Sequence, residues 1–355
     1  MLKKMKQDGI PHPVETACPL PLNSMVDVLA QVIPFLVIGF IIYLANQKAA
    51  GREVPLLGFL LYSMAILPFV YVLLGWLGGT SDVNDAAYVS PQMGAAALLI
   101  TVLLSAFSLT VIRSPQLRIN LRRFFGTAYN PESAVHLTAI VLIFALVSFT
   151  ISNFVLSGGI SGLAESLEVD ESAIPNLILT QVIWILAALL GVGLMIRRGA
   201  VAAAARLGLR IPKPEDFNWG LGYGLLSYLG VIGFVVVWAL LTSPEQLAEQ
   251  TAASQQLAGI FSSIPQVFIL SVLIAIGEEM FFRGAIQPVF GIGFTSVFFA
   301  VLHTQYTLTP ATFALFGVSL VFGWLRQRHS TSAAIIAHFI YNFIQLALGI
   351  LVSTS

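Results

Sequence analysis

The sequence predicts an all-α, polytopic transmembrane helical bundle of about ten spans, and three observations carry that prediction. Of 355 residues, 57% are apolar and only 10% charged, with a mean hydropathy of +0.89, whereas a water-soluble domain is about a quarter charged. The apolar residues gather in ten continuous runs of roughly the length that crosses a hydrocarbon core. The segments between the runs alternate between basic and acidic. Barrel strands alternate in polarity over about ten residues, so continuous runs exclude a β-barrel. One cysteine, Cys18, and no glycine triplet period exclude a disulfide scaffold and a collagen. Seventeen basic and seventeen acidic residues cancel, so no overall field recruits nucleic acid.

Taken in order, residues 1–24 are polar and hold Pro11, Pro13, Pro19 and Pro21. They read as a flexible tail without a signal-peptide run, and Cys18 reads as an idle thiol. The runs follow near 28–45, 55–78, 92–112, 136–156, 176–196, 219–242, 264–282, 288–304, 311–326 and 333–351. The eighth and ninth are short, which suits tilted or partly shielded segments. Lys48 and Arg52, the Arg113 to Arg123 group, the Arg197 to Lys213 group, Arg283, and Arg326 with Arg328 fall in every second connection. The intervening connections carry Asp82, Asp85, Glu165, Glu168, Asp170, Glu171, Glu245 and Glu249 without lysine or arginine. Basic loops lie on the cytoplasmic side, which puts both termini outside. Lys3, Lys4 and Lys6 in the tail oppose that orientation and leave the first helix the least secure. The stretch 197–218 reads as a short basic amphipathic helix stopped by Pro212 and Pro214. It divides the chain into an N-terminal set of spans with their linker, 25–218, and a C-terminal part, 219–355, that holds nearly all the candidate chemistry.

An ionisable side chain inside a span is costly and is a functional hypothesis by default. Here Glu278, Glu279, Arg283, His303, His338 and Asn342 fall within 65 residues, while the first 200 residues offer only His136 near a span end. Glu279 and Arg283 are four apart, with the acid first, the favourable order for a helical ion pair. Glu278 lies about 100° round the helix from Glu279 and about 140° from Arg283. It is the acid less neutralised by its own helix, and hence the one suited to act on water as a general base. The alternative is a structural pair with Arg283 reaching the interface. His338 and Asn342 are also four apart; together they offer donors to a developing oxyanion, or else hydrogen bonds between helices. His303, one turn after Phe299, reads equally as a lone interhelical donor. Glu278, His303 and His338 each sit about 10–20 Å from the presumed cytoplasmic end of their helix, so they can share a cavity.

These residues resemble the motifs of a known family. EExxxR at 278–283, FxxxH at 299–303 and HxxxN at 338–342, in that order, are similar to those of the CPBP (Abi) intramembrane proteases, which include the type II CAAX prenyl endopeptidases. The similarity covers about 220–350, so 219–355 is the expected protease core. The resemblance implies peptide hydrolysis of a membrane-associated, possibly prenylated CAAX-type substrate. It implies that Glu278 activates water with His303 assisting, that His338 and Asn342 stabilise the oxyanion, and that Glu279 and Arg283 support the site. No cofactor is expected. Zinc on the two histidines and a glutamate is the alternative, disfavoured because HExxH is absent and Asn342 is a poor ligand. The expected partners are that substrate and the bilayer, and no nucleic acid. A non-catalytic, immunity-type membrane protein of the same fold and a transporter are the rival readings; against transport, no inverted repeat is visible. Short basic loops without a targeting signal point to a prokaryotic plasma membrane.

Overall fold

A computed structural model describes residues 22–78, 90–157, 173–243, 261, 263–303 and 311–353. Within α1 it describes side chains from residue 32 onward, and in the last helix up to residue 351. The acidic loop residues singled out above, Cys18 and the tail lysines lie outside the described residues. Among the described residues there are twelve α-helices, one π-helical turn and no strand.

The helices are α1 Leu22–Ala49, α2 Pro55–Leu77, α3 Pro91–Arg113, α4 Pro115–Phe125, α5 Ala134–Leu156 and α6 Ala173–Gly191. After them come α7 Ala200–Leu207, α8 Pro214–Leu241, α9 Ile264–Glu279, the π turn Met280–Ile286, α10 Gln287–Leu302, α11 Ala311–Arg328 and α12 Thr331–Ser353. Their starts follow local chemistry. Proline opens α2, α3, α4 and α8, where its missing N–H costs nothing. The side chains of Ser90, Ser114 and Ser133 accept the Met93, Leu117 and His136 N–H groups at the heads of α3, α4 and α5.

Each of the ten apolar runs is helical, with adjustments. Helix α1 begins at Leu22, inside the expected tail, and α8 begins at Pro214, five residues before the apolar run. The basic segment forms the eight-residue α7, ended by Gly208 at φ +71° and not by the prolines; a left-handed residue there needs no β-carbon penalty. Helix α4 arises where only a loop was expected. Arg118 fixes it by donating to the Val111 and Ile112 carbonyls at the end of α3.

Among the described residues eight helical runs are long and apolar enough to cross a membrane, by length and composition. The count is below ten for two reasons. Helix α11, ending in Arg326 and Arg328, is not among them. The seventh and eighth runs are joined through the π turn into one run, Ile264–Leu302. That run is not straight. Twenty-five residues of straight helix would separate residues 278 and 303 by about 37 Å, yet His303 Nε2 lies 3.8 Å from Glu278 Oε2. The chain reverses at Gly291, whose φ of 81° and ψ of 165° are non-helical and open to glycine.

From residue 39 onward, α3 packs with α2 and α5, α6 covers α9 and the π turn, α8 and α9 flank α12, and α10 lies against α11 and α5. Small residues allow the closest approach. A β-carbon on Gly220 or Gly224 of α8 would sit 2.6 Å from Ile336 Cγ2 or 2.7 Å from the Ala337 carbonyl of α12. This is the G-xxx-G spacing that brings membrane helices together. An aromatic core joins the N-terminal helices to α10: Phe125 meets Phe290 and Phe294 at 5.0 and 5.1 Å between ring centroids. Phe282 meets Phe299 at 5.0 Å. Large apolar side chains such as Phe59, Leu229 and Leu240 face outward, as lipid-facing residues do.

Candidate active site

Three helices bring the predicted acid and imidazole groups together. Glu278 and Glu279 end α9, Arg283 sits in the π turn, His303 follows α10, and His338 lies two turns into α12. The angular argument treated 278–283 as pure α-helix, whereas Arg283 belongs to a π turn, a feature frequent at functional sites. The separation of the two acids survives that change.

Glu279 and Arg283 are both fully buried and are joined by Arg283 Nε donating to Glu279 Oε2 at 3.1 Å. Arg283 also donates from Nη2 to Ser319 Oγ of α11 at 2.8 Å, and its guanidinium lies over the Phe299 ring, 5.4 Å from the centroid. The second oxygen of Glu279, Oε1, is 2.9 Å from His338 Nδ1. A polar chain Ser319, Arg283, Glu279, His338 therefore crosses three helices. Ser319 was missed in the sequence, where serines recur in most spans without distinction.

Glu278 is different. Its Oε2 is buried and has no hydrogen-bond partner among the described residues; His303 Nε2 lies 3.8 Å and His338 Nε2 4.0 Å from it. These separations exceed a direct hydrogen bond and suit a bridging water. Both imidazoles are oriented through their other nitrogen. His303 Nδ1 is 2.8 Å from the Phe299 carbonyl, which can only accept, so Nδ1 carries the hydrogen. The arginine-paired carboxylate of Glu279 likewise accepts from His338 Nδ1. With Nδ1 so assigned, each Nε2 is an acceptor in the neutral ring and a donor once the ring is protonated; a water can donate to only two of these three atoms, so a proton on one imidazole completes the set. Phe322 packs on the His338 ring at 5.1 Å and Phe299 on His303 at 4.3 Å, which keeps both rings from rotating.

Asn342 is half-buried, one turn along α12 from His338 on the same face. His136 is elsewhere employed: its Nδ1 accepts the Asn130 N–H at 2.9 Å, an anchor for the chain entering α5.

The converging Glu278, His303 and His338 atoms have the chemistry of a zinc donor set. Tetrahedral zinc at about 2.0–2.1 Å from each ligand needs donors about 3.3–3.4 Å apart, and the separations here are 3.8 and 4.0 Å. Among the described residues no group of His, Cys, Asp or Glu meets the spacing for a metal ion.

Residues 260–344 match the family model described as type II CAAX prenyl endopeptidase Rce1-like. The matched segment, 85 of the 355 residues, contains all six predicted site residues. The chain is also similar to the uncharacterized protein YpbD of Bacillus subtilis (strain 168), 49% identical over 49 residues. That match covers 13% of this chain and spans about a quarter, 26%, of the relative. No solved structure matches.

Proposed function

We propose that this multi-pass membrane protein is an intramembrane endopeptidase that cleaves a membrane-associated substrate with a water activated by Glu278. The observation that carries the reading is the unbonded Glu278 Oε2, buried between two imidazole nitrogens whose rings are each held from behind. The family of residues 260–344 supports the reaction class.

In this mechanism Glu278 Oε2 takes a proton from water as the water oxygen bonds to the scissile carbonyl carbon. His303 Nε2 orients that water. The carbonyl oxygen becomes the oxyanion, held by the Asn342 amide and by Nε2–H of protonated His338, with Glu279 as counter-charge. The proton then passes to the leaving nitrogen as the C–N bond breaks. Water thus supplies hydroxyl to one product and hydrogen to the other, and no metal enters. Arg283 acts through Glu279, and Ser319 through Arg283; both are positioning residues. A prenylated CAAX-type chain is the proposed substrate class, and the alternation of basic loops supports a site entered from the cytoplasmic side of a prokaryotic plasma membrane.

The test is hydrolysis of a mixed pool of lipidated and membrane-anchored peptides by the purified protein, before and after dialysis against EDTA and phenanthroline. Cleavage that survives dialysis is expected. Failure to cleave any pool member contradicts the protease reading; loss on dialysis that zinc specifically restores contradicts the metal-free mechanism.

A further inference from the structure

The connection between α6 and α8 gathers arginines that the proposed chemistry does not use. Arg206 on α7 donates from Nη1 to the Gly284 carbonyl at 3.0 Å. Arg326 from α11 packs directly against Gly208, where a β-carbon would overlap its guanidinium, and its Nε is buried with no hydrogen-bond partner among the described residues. Arg197 and Arg198 are held in the turn after α6, the first by Asn46 Oδ1 at 2.8 Å and the second by the Val192 carbonyl. Arg198, Arg326 and Arg197 each lie within electrostatic reach of Arg206. Among the described residues none of them forms an ion pair; the arginine pairs are Arg210–Asp216 and Arg283–Glu279. Burial and mutual repulsion hold the Arg206 guanidinium below the usual arginine range, Arg198 being the largest of its three repelling neighbours. Concentrated like charge without a counter-ion is stabilised by a bound anion.

The surroundings identify where that anion comes from. The turn that carries Arg197 and Arg198 holds Met195 in the left-handed region, at φ 58°, and leaves it 90% exposed. Ile211, between α7 and α8, is 91% exposed. Both lie just beyond the ends of apolar spans, where exposed aliphatic side chains enter the acyl boundary of a bilayer. A free phosphate would use the guanidinium groups and gain nothing from these side chains. A phospholipid uses both.

We propose that Arg197, Arg198, Arg206 and Arg326 form a binding site for the phosphate of an anionic phospholipid, whose acyl region lies against Met195 and Ile211. Basic pockets between membrane helices bind acidic headgroups in this manner.

The test measures binding of phosphatidylglycerol and of phosphatidylcholine to the full chain in detergent by native mass spectrometry, with inorganic phosphate as a competitor. Tight phosphatidylglycerol binding is expected, weakened about 10- to 30-fold by Arg206→Gln/Arg326→Gln, since each basic residue near an anionic lipid contributes a few-fold to tenfold. Arg122→Gln/Arg123→Gln, which removes equal charge from exposed positions on α4, is expected to leave it unchanged. Equal loss in both double variants would reduce the effect to diffuse surface charge and overturn the site. Displacement by millimolar inorganic phosphate, or equal binding of phosphatidylcholine, would overturn the anionic lipid as ligand. Should the double variant fail to fold, Arg326→Gln alone decides: undiminished binding overturns the proposal. These readouts are independent of peptide hydrolysis.

Discussion

Glu279 is bonded to Arg283 and His338 while Glu278 Oε2 faces two imidazole nitrogens, and that difference decides what an acid-to-amide change does at each. Glu279→Gln leaves a fully buried guanidinium without its counter-charge. Breaking such a pair costs on the order of 3–5 kcal/mol, so a large fall in melting temperature is expected, with a smaller defect in turnover. Ser319→Ala removes the acceptor 2.8 Å from Arg283 Nη2, with an expected loss of about 1–3 kcal/mol measured as a lower unfolding midpoint. Asn342→Ala is expected to lower kcat about 10²- to 10³-fold with little change in KM, the mark of a contact made mainly in the transition state. Loss of stability alone, or a pure KM effect, would remove Asn342 from the oxyanion site. The pairing of Glu279 with Arg283 was legible because a separation of four places side chains on one helix face. The bond from His338 to Glu279 was not, since it joins residues 59 apart. Ser319 resembled Ser271 and Ser296, which are also buried in spans, and only three-dimensional proximity distinguishes it.

At the scale of elements, the reversal at Gly291 brings His303 back to Glu278. Nothing lies within 4 Å of a β-carbon built there, so Gly291→Ala isolates the cost of a left-handed φ from any clash. An expected destabilisation of about 1–3 kcal/mol, read from the melting temperature, checks that conformation. Gly224→Ala acts differently, because its β-carbon would press on the Ala337 carbonyl, next to His338. It is expected to lower both the melting temperature and kcat. Apolar run length and flanking charge made the ten helices readable, yet continuity between the seventh and eighth was not. Met280 to Ile286 is ordinary helix-compatible sequence, and nothing in residue type distinguishes a π turn from an α turn. The short helix α4 escaped for a related reason: its inward face is built from three apolar residues, Leu117, Leu121 and Phe125, too few to stand out from a loop.

For the molecule as a whole, the N-terminal spans carry little chemistry and form much of the wall behind the site. Phe125 supports α10, and Trp184 of α6 packs on Phe281 at 4.4 Å, so the aromatic layer holds the π turn from two sides. Alternation of basic and acidic connections gave an expected orientation of the spans, because charge sorting acts on each loop separately. The contacts among spans were invisible, because lipid-facing and protein-facing surfaces are equally apolar. The central claim, that Glu278 activates the attacking water, is tested most directly by the rate of peptide hydrolysis by Glu278→Gln, with its melting temperature measured on the same preparation. The mechanism predicts a fall of about 10²- to 10⁴-fold in a protein that melts like the parent. Undiminished turnover in a well-folded Glu278→Gln protein would contradict it.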